Sequence, residues 1–142
     1  MTLSNRAKKR QDARRHKDAH RRELCEQGVW TCSDGREIVV AKIEDSHLCN
    51  IAVFMWRQAG EKNDREIYEA CAMPGPNGEM AQLSVEQGLD YLMEYGHSDE
   101  FARHPFYLHL VRELDRRDLW KFLPCITLNF CEWPDDYDGA GR

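Results

Sequence analysis

The first 24 residues constrain the fold most strongly, because they contain nine Lys and Arg side chains and no stripe of large apolar residues. Such a segment cannot contribute to a hydrophobic core. It is nevertheless rich in Ala, Arg, Lys, Gln and Glu, which favour helix formation. Ser4 is a suitable N-cap and Gly28 a suitable stop. Because a helix that is polar on every side lies in solvent or against a partner, we predict a protruding basic helical arm over residues 1–27.

The arm differs sharply in charge from the rest of the chain. Residues 1–24 carry a net charge of +6, whereas the whole chain of 142 residues carries −5, which leaves −11 for residues 25–142. A pI near 5.7 would argue against a nucleic-acid partner if the charge were evenly distributed. Fields act locally, however, within a Debye length of about 8 Å. A polyanion is therefore a reasonable partner for the arm.

The chain length fits one domain, and the 42% apolar fraction suffices for a core. No apolar run approaches the roughly 18 residues of a membrane span, and no apolar signal core follows the first basic residues. We therefore expect no membrane association and a cytoplasmic location, where the six cysteines remain thiols. Cys49 and Cys71 lie in apolar helical patterns and are predicted to be small core residues.

An Asp-Gly pair at residues 34–35 lies between two β-prone segments, which is a strong hairpin signal. The predicted strands are residues 29–33 and 36–41. Ile38 and Val40 share one face of the second strand, as expected of a strand that packs on a core.

Apolar positions at helical spacing dominate the chain after the hairpin. They predict helices from Asp45 or Ser46 to Gly60, over 63–72, over 84–95 from a capping box at Ser84–Gln87, and from Pro105 to 117. Residues 73–78 have a loop composition, residues 126–130 predict a third strand, and residues 132–142 predict an acidic, disordered tail. The expected fold is α+β: a small β-hairpin or three-stranded antiparallel sheet packed on about four helices. Its parts are the arm (1–27), an α+β body (28–131) and the acidic tail (132–142).

Two segments of the body resemble a pattern in many small phage and prophage proteins of unknown function. Those proteins contain W-T-x-x-D-G-x-x-I, then H-L-x-N at the start of a helix, and often a later Y-x-x-L-x-x-E-x-x-R-R helix. The likeness covers about residues 24–58 and 105–119 and implies a phage origin, hence the host-cell cytoplasm, but no particular activity. This chain departs from the usual form in its longer basic arm and its Cys-rich, acidic C-terminal region. The matching residues are Trp30, Thr31, Asp34, Gly35, Ile38, His47, Leu48, Asn50, Tyr107, Leu110, Glu113, Arg116 and Arg117.

Residues 5–15 of the arm separately resemble the arginine-rich RNA-binding motif of lambdoid N-type antitermination proteins. That likeness implies a helix that lies in the groove of an RNA hairpin. Arginine-rich segments commonly fold on RNA, and cationic side chains on several faces suit a helix sunk into a groove. An acidic protein partner and a plainly solvated helix remain the alternatives. The predicted nucleic-acid-binding residues are Arg6, Lys9, Arg10, Arg14, Arg15, Lys17, Arg21 and Arg22.

Five residues of the phage-like segment form a second candidate site. They are polar or aromatic and come from the hairpin and the start of the next helix. We expect either a capping and packing role, with His47 and Asn50 bonded to the hairpin backbone, or a small polar recognition pocket. The candidate pocket comprises Trp30, Asp34, Arg36, His47 and Asn50.

Several cysteines and histidines are candidate metal ligands. Cys25, Cys32, His47 and Cys49 suffice in number for a tetrahedral zinc site, but their spacing matches no familiar zinc motif. The pair Cys125 and Cys131 is looser, and the set His16, His20 and Glu23 is weaker still, because nearby arginines repel a cation. We therefore expect no metal and no other cofactor.

The chain lacks the G-x-S-x-G, P-loop and G-x-G-x-x-G patterns of common enzyme classes. The sequence therefore favours a non-enzymatic, phage-type accessory protein that binds nucleic acid, RNA in preference to DNA, through residues 1–24. The alternative is a phage-encoded inhibitor that binds a host machine, such as a defence complex or RNA polymerase, through its acidic body. A homodimer that presents two arms is left open.

Overall fold

The computed structural model of the protein describes residues 4–72 and 78–132. These residues form four α-helices and one hairpin, and the α+β class is confirmed. The predicted tail lies outside the described residues apart from its first residue. In chain order the elements are α1 (Asn5–Glu26), β1 (Val29–Thr31), β2 (Glu37–Val39), α2 (Asp45–Ala72), α3 (Glu79–Ala102) and α4 (Tyr107–Arg117), with short 3-10 turns at Val40–Lys42 and Trp120–Phe122.

The hairpin forms at the predicted Asp-Gly turn but with shorter strands. β1 and β2 pair antiparallel with Trp30 opposite Ile38, and Gly35 adopts the left-handed φ of +91° that the turn requires. The chain then leaves the sheet in a 3-10 turn that begins at Val40. Ile38 and Val40 pack on the core while Val39 is exposed, so the predicted facing of the second strand is confirmed.

The core lies between α2, α4 and the end of α3. Leu48, Ile51 and Met55 of α2 are buried, as their spacing predicts, and they pack with Leu110 of α4 and Phe101 of α3. α2 and α4 each bury one apolar stripe, which is the normal arrangement of an amphipathic helix on a core, whereas α3 contributes Phe101 near its C-terminal end. The core supports the hairpin, which lies at one edge of it.

α2 does not end at Gly60, as predicted, but continues unbroken to Ala72. The glycine allows a close approach of α3: a Cβ at Gly60 would lie 2.9 Å from the His97 ring. That ring stacks on the Trp56 indole with centroids 3.5 Å apart, and its Nε2 donates to the Trp56 carbonyl oxygen over 2.7 Å. The prediction of two helices was wrong because helix packing, rather than a chain stop, requires this glycine.

α3 begins at Glu79, five residues before the predicted capping box, and extends past residue 95 to Ala102. Gly78, with φ of +107°, precedes its first turn, and Ser84 lies inside the helix. A second close contact accounts for the longer C-terminal half. Gly96 faces the buried amide of Asn63, whose Nδ2 donates to the Leu92 carbonyl oxygen over 3.0 Å. Packing against α2 therefore accounts for the continuation of α3 past residue 95.

Replacing Gly96 by Ala is expected to destabilise the protein by about 2 kcal/mol, because the new Cβ collides with the Asn63 amide. Gly88→Ala is the matched control, since it lies in the same helix with nothing within 4 Å of a new Cβ. It should stabilise by about 0.5–1 kcal/mol through helix propensity. Urea denaturation measures both, and equal effects of the two substitutions would contradict the close contact.

The predicted third strand at residues 126–130 is wrong: among the described residues the sheet has two strands. The segment has no regular secondary structure and contacts α3 instead, because Ser98 Oγ accepts from the Asn129 backbone nitrogen over 2.7 Å. Ile126 and Phe130 are buried. The alternating pattern therefore correctly indicated burial, but the segment lies on α3 rather than beside the hairpin.

Arg117, at the end of α4, ties this helix to the chain between β2 and α2. Its guanidinium donates to the carbonyl oxygens of Val40, Ala41 and Ile43 and pairs with Asp45 at 3.0 Å. It also pairs with the Glu113 carboxylate at 2.7 Å. Since α2 begins at Asp45, this residue and Ser46 are first-turn residues rather than the predicted caps. We call this group of contacts the Arg117 latch.

The latch makes part of the stability depend on pH. Hydrogen bonds from Arg116 and Arg117 lower the pKa of Glu113 below its ordinary value of 4.5. A carboxyl with a lowered folded-state pKa contributes stability that is complete above about pH 4.5 and is lost as the pH falls through the folded pKa. The free energy of unfolding should therefore fall more steeply below pH 4.5 in the wild type than in Glu113→Gln. Parallel pH profiles from urea denaturation would contradict this assignment.

No described helix is both long enough and apolar enough to cross a bilayer. The cysteines of the described residues are all free thiols, and Cys25 and Cys32 are buried. Cys49 is half-buried, but Cys71 is exposed, so its prediction as a core residue was wrong. The reason is that the second half of α2 extends beyond the core, where an apolar face has no buried partner.

Candidate nucleic-acid interface

α1 is a long helix whose main contact with the described part of the body is at its C-terminal end, against β1. Ser4 is its N-cap, as predicted, and accepts from the Ala7 amide nitrogen over 3.2 Å. From Asn5 to Glu23 all side chains are exposed except the half-buried Ala7. Packing begins at Leu24 and Cys25, where the helix meets β1. The predicted protruding arm is therefore present, and we use "arm" for α1 from here on.

The base of the arm is fixed to α4. His109 Nε2 donates to the carbonyl oxygen of Glu26, the last residue of the helix, over 2.8 Å. Gly28 then takes a φ of +80°, and a Cβ at this position would lie 2.9 Å from the His109 ring. His20 adds a weaker contact to Glu37 of β2 at 3.6 Å. The arm consequently leaves the body at a defined angle.

The eight predicted cationic residues of the arm are all exposed. Arg10, Arg14, Lys17 and Arg21 follow one another at spacings of four and three residues, so they form one stripe along the helix. Among residues 4–72 and 78–132, one Lys or Arg of the arm forms a salt bridge: Arg22 pairs with Glu26 of the same helix at 4.0 Å. In this part of the chain the acidic body does not neutralise the arm.

A groove of about 810 Å³ opens where the arm meets the body. All five residues of the predicted pocket line it, together with Arg21 and Arg22 of the arm. The cationic stripe therefore runs directly into the groove. The predicted pocket residues that line it are Trp30, Asp34, Arg36, His47 and Asn50.

The charged rim of the groove is held by the hairpin turn. Asp34 Oδ1 accepts from the Arg36 amide nitrogen over 3.1 Å, and its Oδ2 pairs with Arg36 Nε at 2.7 Å. The backbone hydrogen bond from Arg36, followed by the side-chain contact, lowers the pKa of Asp34. The rim thus presents an ionised carboxylate and a guanidinium held in a fixed arrangement.

The apolar wall of the groove is aromatic. Trp30 packs on the buried Phe106 with centroids 5.2 Å apart and meets Phe54 edge to face at 6.3 Å. Phe54 is 48% exposed, which is unusual for a phenylalanine next to a core. His104 lines the same wall, and burial lowers its pKa, which favours the neutral ring. The groove therefore combines an accessible aromatic surface with polar and cationic edges.

Sequence reasoning missed the contribution of α2 to the groove beyond Asn50. His47, Asn50, Phe54 and Gln58 recur at spacings of three and four residues, so they face the groove together. The signal was an aromatic side chain in line with polar residues, beside the apolar stripe that packs on the core. The alternative role of His47 and Asn50 as caps is not supported, because no hydrogen bond joins either side chain to the described hairpin.

The candidate metal ligands do not form a site in the structure. Over residues 4–72 and 78–132 no three His, Cys, Asp or Glu side chains come together as metal ligands would. Cys25 and Cys32 lie in the groove wall with His47, whereas Cys49 is half-buried on α2. Burial raises the pKa of Cys25, which favours the thiol over the thiolate that metals bind.

No protein family model, curated protein or solved structure matches this chain. Packing and the Arg117 latch account for the residues of α4 that match the phage-protein pattern. Tyr107 and Leu110 are buried, and Glu113 and Arg117 form the latch. Those of the hairpin and α2, in contrast, include Trp30, which lines the groove.

Proposed function

We propose that this protein is a non-enzymatic, phage-type accessory protein that binds structured RNA through its arm. The observation that carries the proposal is a 22-residue helix whose basic side chains are exposed and, in the described residues, almost unpaired. An exposed row of unpaired cations attracts polyanions, and neutralising phosphates with it releases their counterions.

The dimensions of the arm suit a nucleic-acid groove. At 1.5 Å per residue the helix is about 33 Å long, and it buries no side chain before Cys25. Cations flank the stripe on other faces, at Lys9 and Arg15, so both walls of a groove are within their reach. A helix that lay on a flat surface would need cations on one face only.

Fluorescence anisotropy with a labelled RNA hairpin tests the proposal, with the full chain measured at about 50 and 200 mM salt. Each phosphate contact contributes a slope of about 0.9 in log affinity against log salt. Five contacts therefore weaken binding on the order of a hundredfold or more over this range. An unlabelled DNA duplex of the same sequence should compete poorly. Absence of binding at the lower salt concentration would reject the proposal.

A second candidate function is inhibition of a host protein machine, and one observation favours it. The surfaces of α2 and α3 that face away from the core expose Tyr68, Met80 and Met93, each more than 70% accessible. Exposed apolar side chains of this kind are enriched in protein-binding surfaces. Co-purification from nuclease-treated host lysate separates the two functions: a defined host protein retained without nucleic acid supports the second, and loss of the complex supports the first.

A further inference from the structure

The arm alone has the features needed to bind a double-stranded stem, which leaves the groove at its base without a role. This groove is large enough for a nucleotide: its volume of about 810 Å³ lies within the range of small-molecule sites. The groove also adjoins the cationic stripe, since Arg21 belongs to both. A ligand continuous with a bound stem would enter it directly.

We infer that the groove accepts one unpaired nucleotide adjoining the stem that the arm binds. This inference rests on the proposed function of the arm. Sequence-specific proteins read RNA mainly at unpaired bases, which stack on aromatic side chains and present their edges for hydrogen bonding. The groove offers an aromatic surface and hydrogen-bonding groups in one place. A paired base could use neither, because its faces are stacked within the stem and its Watson–Crick edge is bonded to its partner.

The aromatic wall provides the stacking surface. Phe54 lines the groove and is 48% exposed, and Trp30 lies edge to face with it at 6.3 Å. Trp30 is itself anchored on Phe106, so the surface is held rigid before a ligand arrives. A rigid aromatic surface orders few groups on binding, which favours affinity.

The groove edges supply the polar contacts that a nucleotide needs. Arg21 and Arg22 lie on the arm side, where the phosphates of the strand would pass. Asn50 and Gln58 lie on the α2 side, one turn before and one turn after Phe54. Carboxamides pair with the edges of bases, so a base stacked on Phe54 would have an amide on either side.

The test compares three RNA hairpins with the same stem. In the first, the nucleotide that adjoins the stem is paired. In the second, that nucleotide is unpaired, and in the third an abasic residue replaces the unpaired nucleotide. Anisotropy with the full chain at one salt concentration gives the three dissociation constants. The wild type should bind the unpaired nucleotide about tenfold or more tightly than the abasic residue, which is the usual size of base–aromatic stacking.

Phe54→Leu should abolish this preference while leaving affinity for the fully paired stem unchanged. Because Phe54 is half exposed, leucine is a mild change for folding. Phe54→Trp should retain the preference, since it keeps an aromatic surface. Phe122→Leu is the matched control: this phenylalanine is 64% exposed and does not line the groove.

The outcomes distinguish the two proposals. Binding of the paired stem without any preference for the unpaired base would overturn the inference and leave the function of the arm intact. A preference that persists in Phe54→Leu would likewise overturn it. Failure to bind any of the three hairpins would reject the proposed function, and the inference with it.

Discussion

Replacing the five principal cations of the arm by glutamine should reduce affinity for an RNA hairpin by at least about a hundredfold at about 50 mM salt. Each substitution removes the charge that neutralises one phosphate and releases its counterion. The slope of log affinity against log salt should become shallower by about 0.9 for each phosphate that is no longer neutralised. The helix should persist, because glutamine has nearly the helix propensity of lysine and arginine. Anisotropy titrations at several salt concentrations measure the affinity and the slope. The residues replaced together in this variant are Arg10, Arg14, Arg15, Lys17 and Arg21.

The matched control removes five exposed cations from the body. It lowers the net charge by the same amount, so it separates a local contact from a general electrostatic effect. Its affinity should remain within a few-fold of the wild type. An equal reduction in affinity for both variants would contradict a binding site on the arm. The control positions are Lys42, Arg57, Arg65, Arg112 and Lys121, which are all exposed.

Replacing Arg117 by Met should destabilise the protein by about 3 kcal/mol, or about 10 °C in Tm. Only 12% of its side chain is exposed, and the Glu113 carboxylate that it pairs with is 10% exposed. Its removal breaks the buried pair with Glu113, whose carboxylate keeps the exposed Arg116 as a partner, and it removes the side-chain donor to three carbonyl oxygens of the segment before α2. Because the pair is buried, the cost exceeds that of removing the hydrogen bonds alone. Thermal and urea denaturation measure the change in stability.

Arg116→Met is the control for the latch. Arg116 pairs with the same carboxylate, but 65% of its side chain is exposed, so its removal should cost much less than that of Arg117. The double variant of Arg117→Met with Glu113→Gln should be destabilised by less than the sum of the two single variants, because either substitution alone already breaks the pair. A double variant with fully additive destabilisation would show that the pair is not coupled.

The sequence predicted the arm and the hairpin well because both depend on local chemistry. Ser4 caps the arm through a contact three residues away, and the turn at Gly35 needs only its own backbone freedom. The apolar stripe of α2 is also predictable, since side chains three and four residues apart lie on the same face of a helix. These features require no knowledge of what packs against them.

Two of the errors share one physical origin. Gly60 looks like a helix stop in isolation, and only the His97 ring beside it shows that the missing Cβ makes room for α3. The alternation that ends at Phe130 indicates burial, and only the hydrogen bond of Asn129 with Ser98 shows that the segment lies on α3. In both cases the deciding partner is distant in the chain. Ser84 differs, because it looks like a cap but lies inside a helix that begins upstream at Glu79.

The candidate pocket was predictable in its residues but not in its surroundings. Trp30 and Asn50 were singled out from a motif, and the structure places both on one groove. Phe54 was not singled out, because an aromatic residue in an apolar helix normally belongs to the core. Its exposure, and the approach of Arg21 from the arm, follow from the angle at which two elements meet.

The anchoring of the arm at Gly28 and His109 has a consequence for how its length can vary. Since the base is fixed, one residue inserted just before Leu24 would turn the whole outer helix by about 100° relative to the groove. The cationic stripe would then point away from the path that leads to Phe54. Seven inserted residues would return the cationic stripe to within about 20° of its original direction and shift the tip of the arm outward by about 10 Å. Extension at the tip of the arm is therefore free, whereas length changes at its base are tolerated only in near-whole turns.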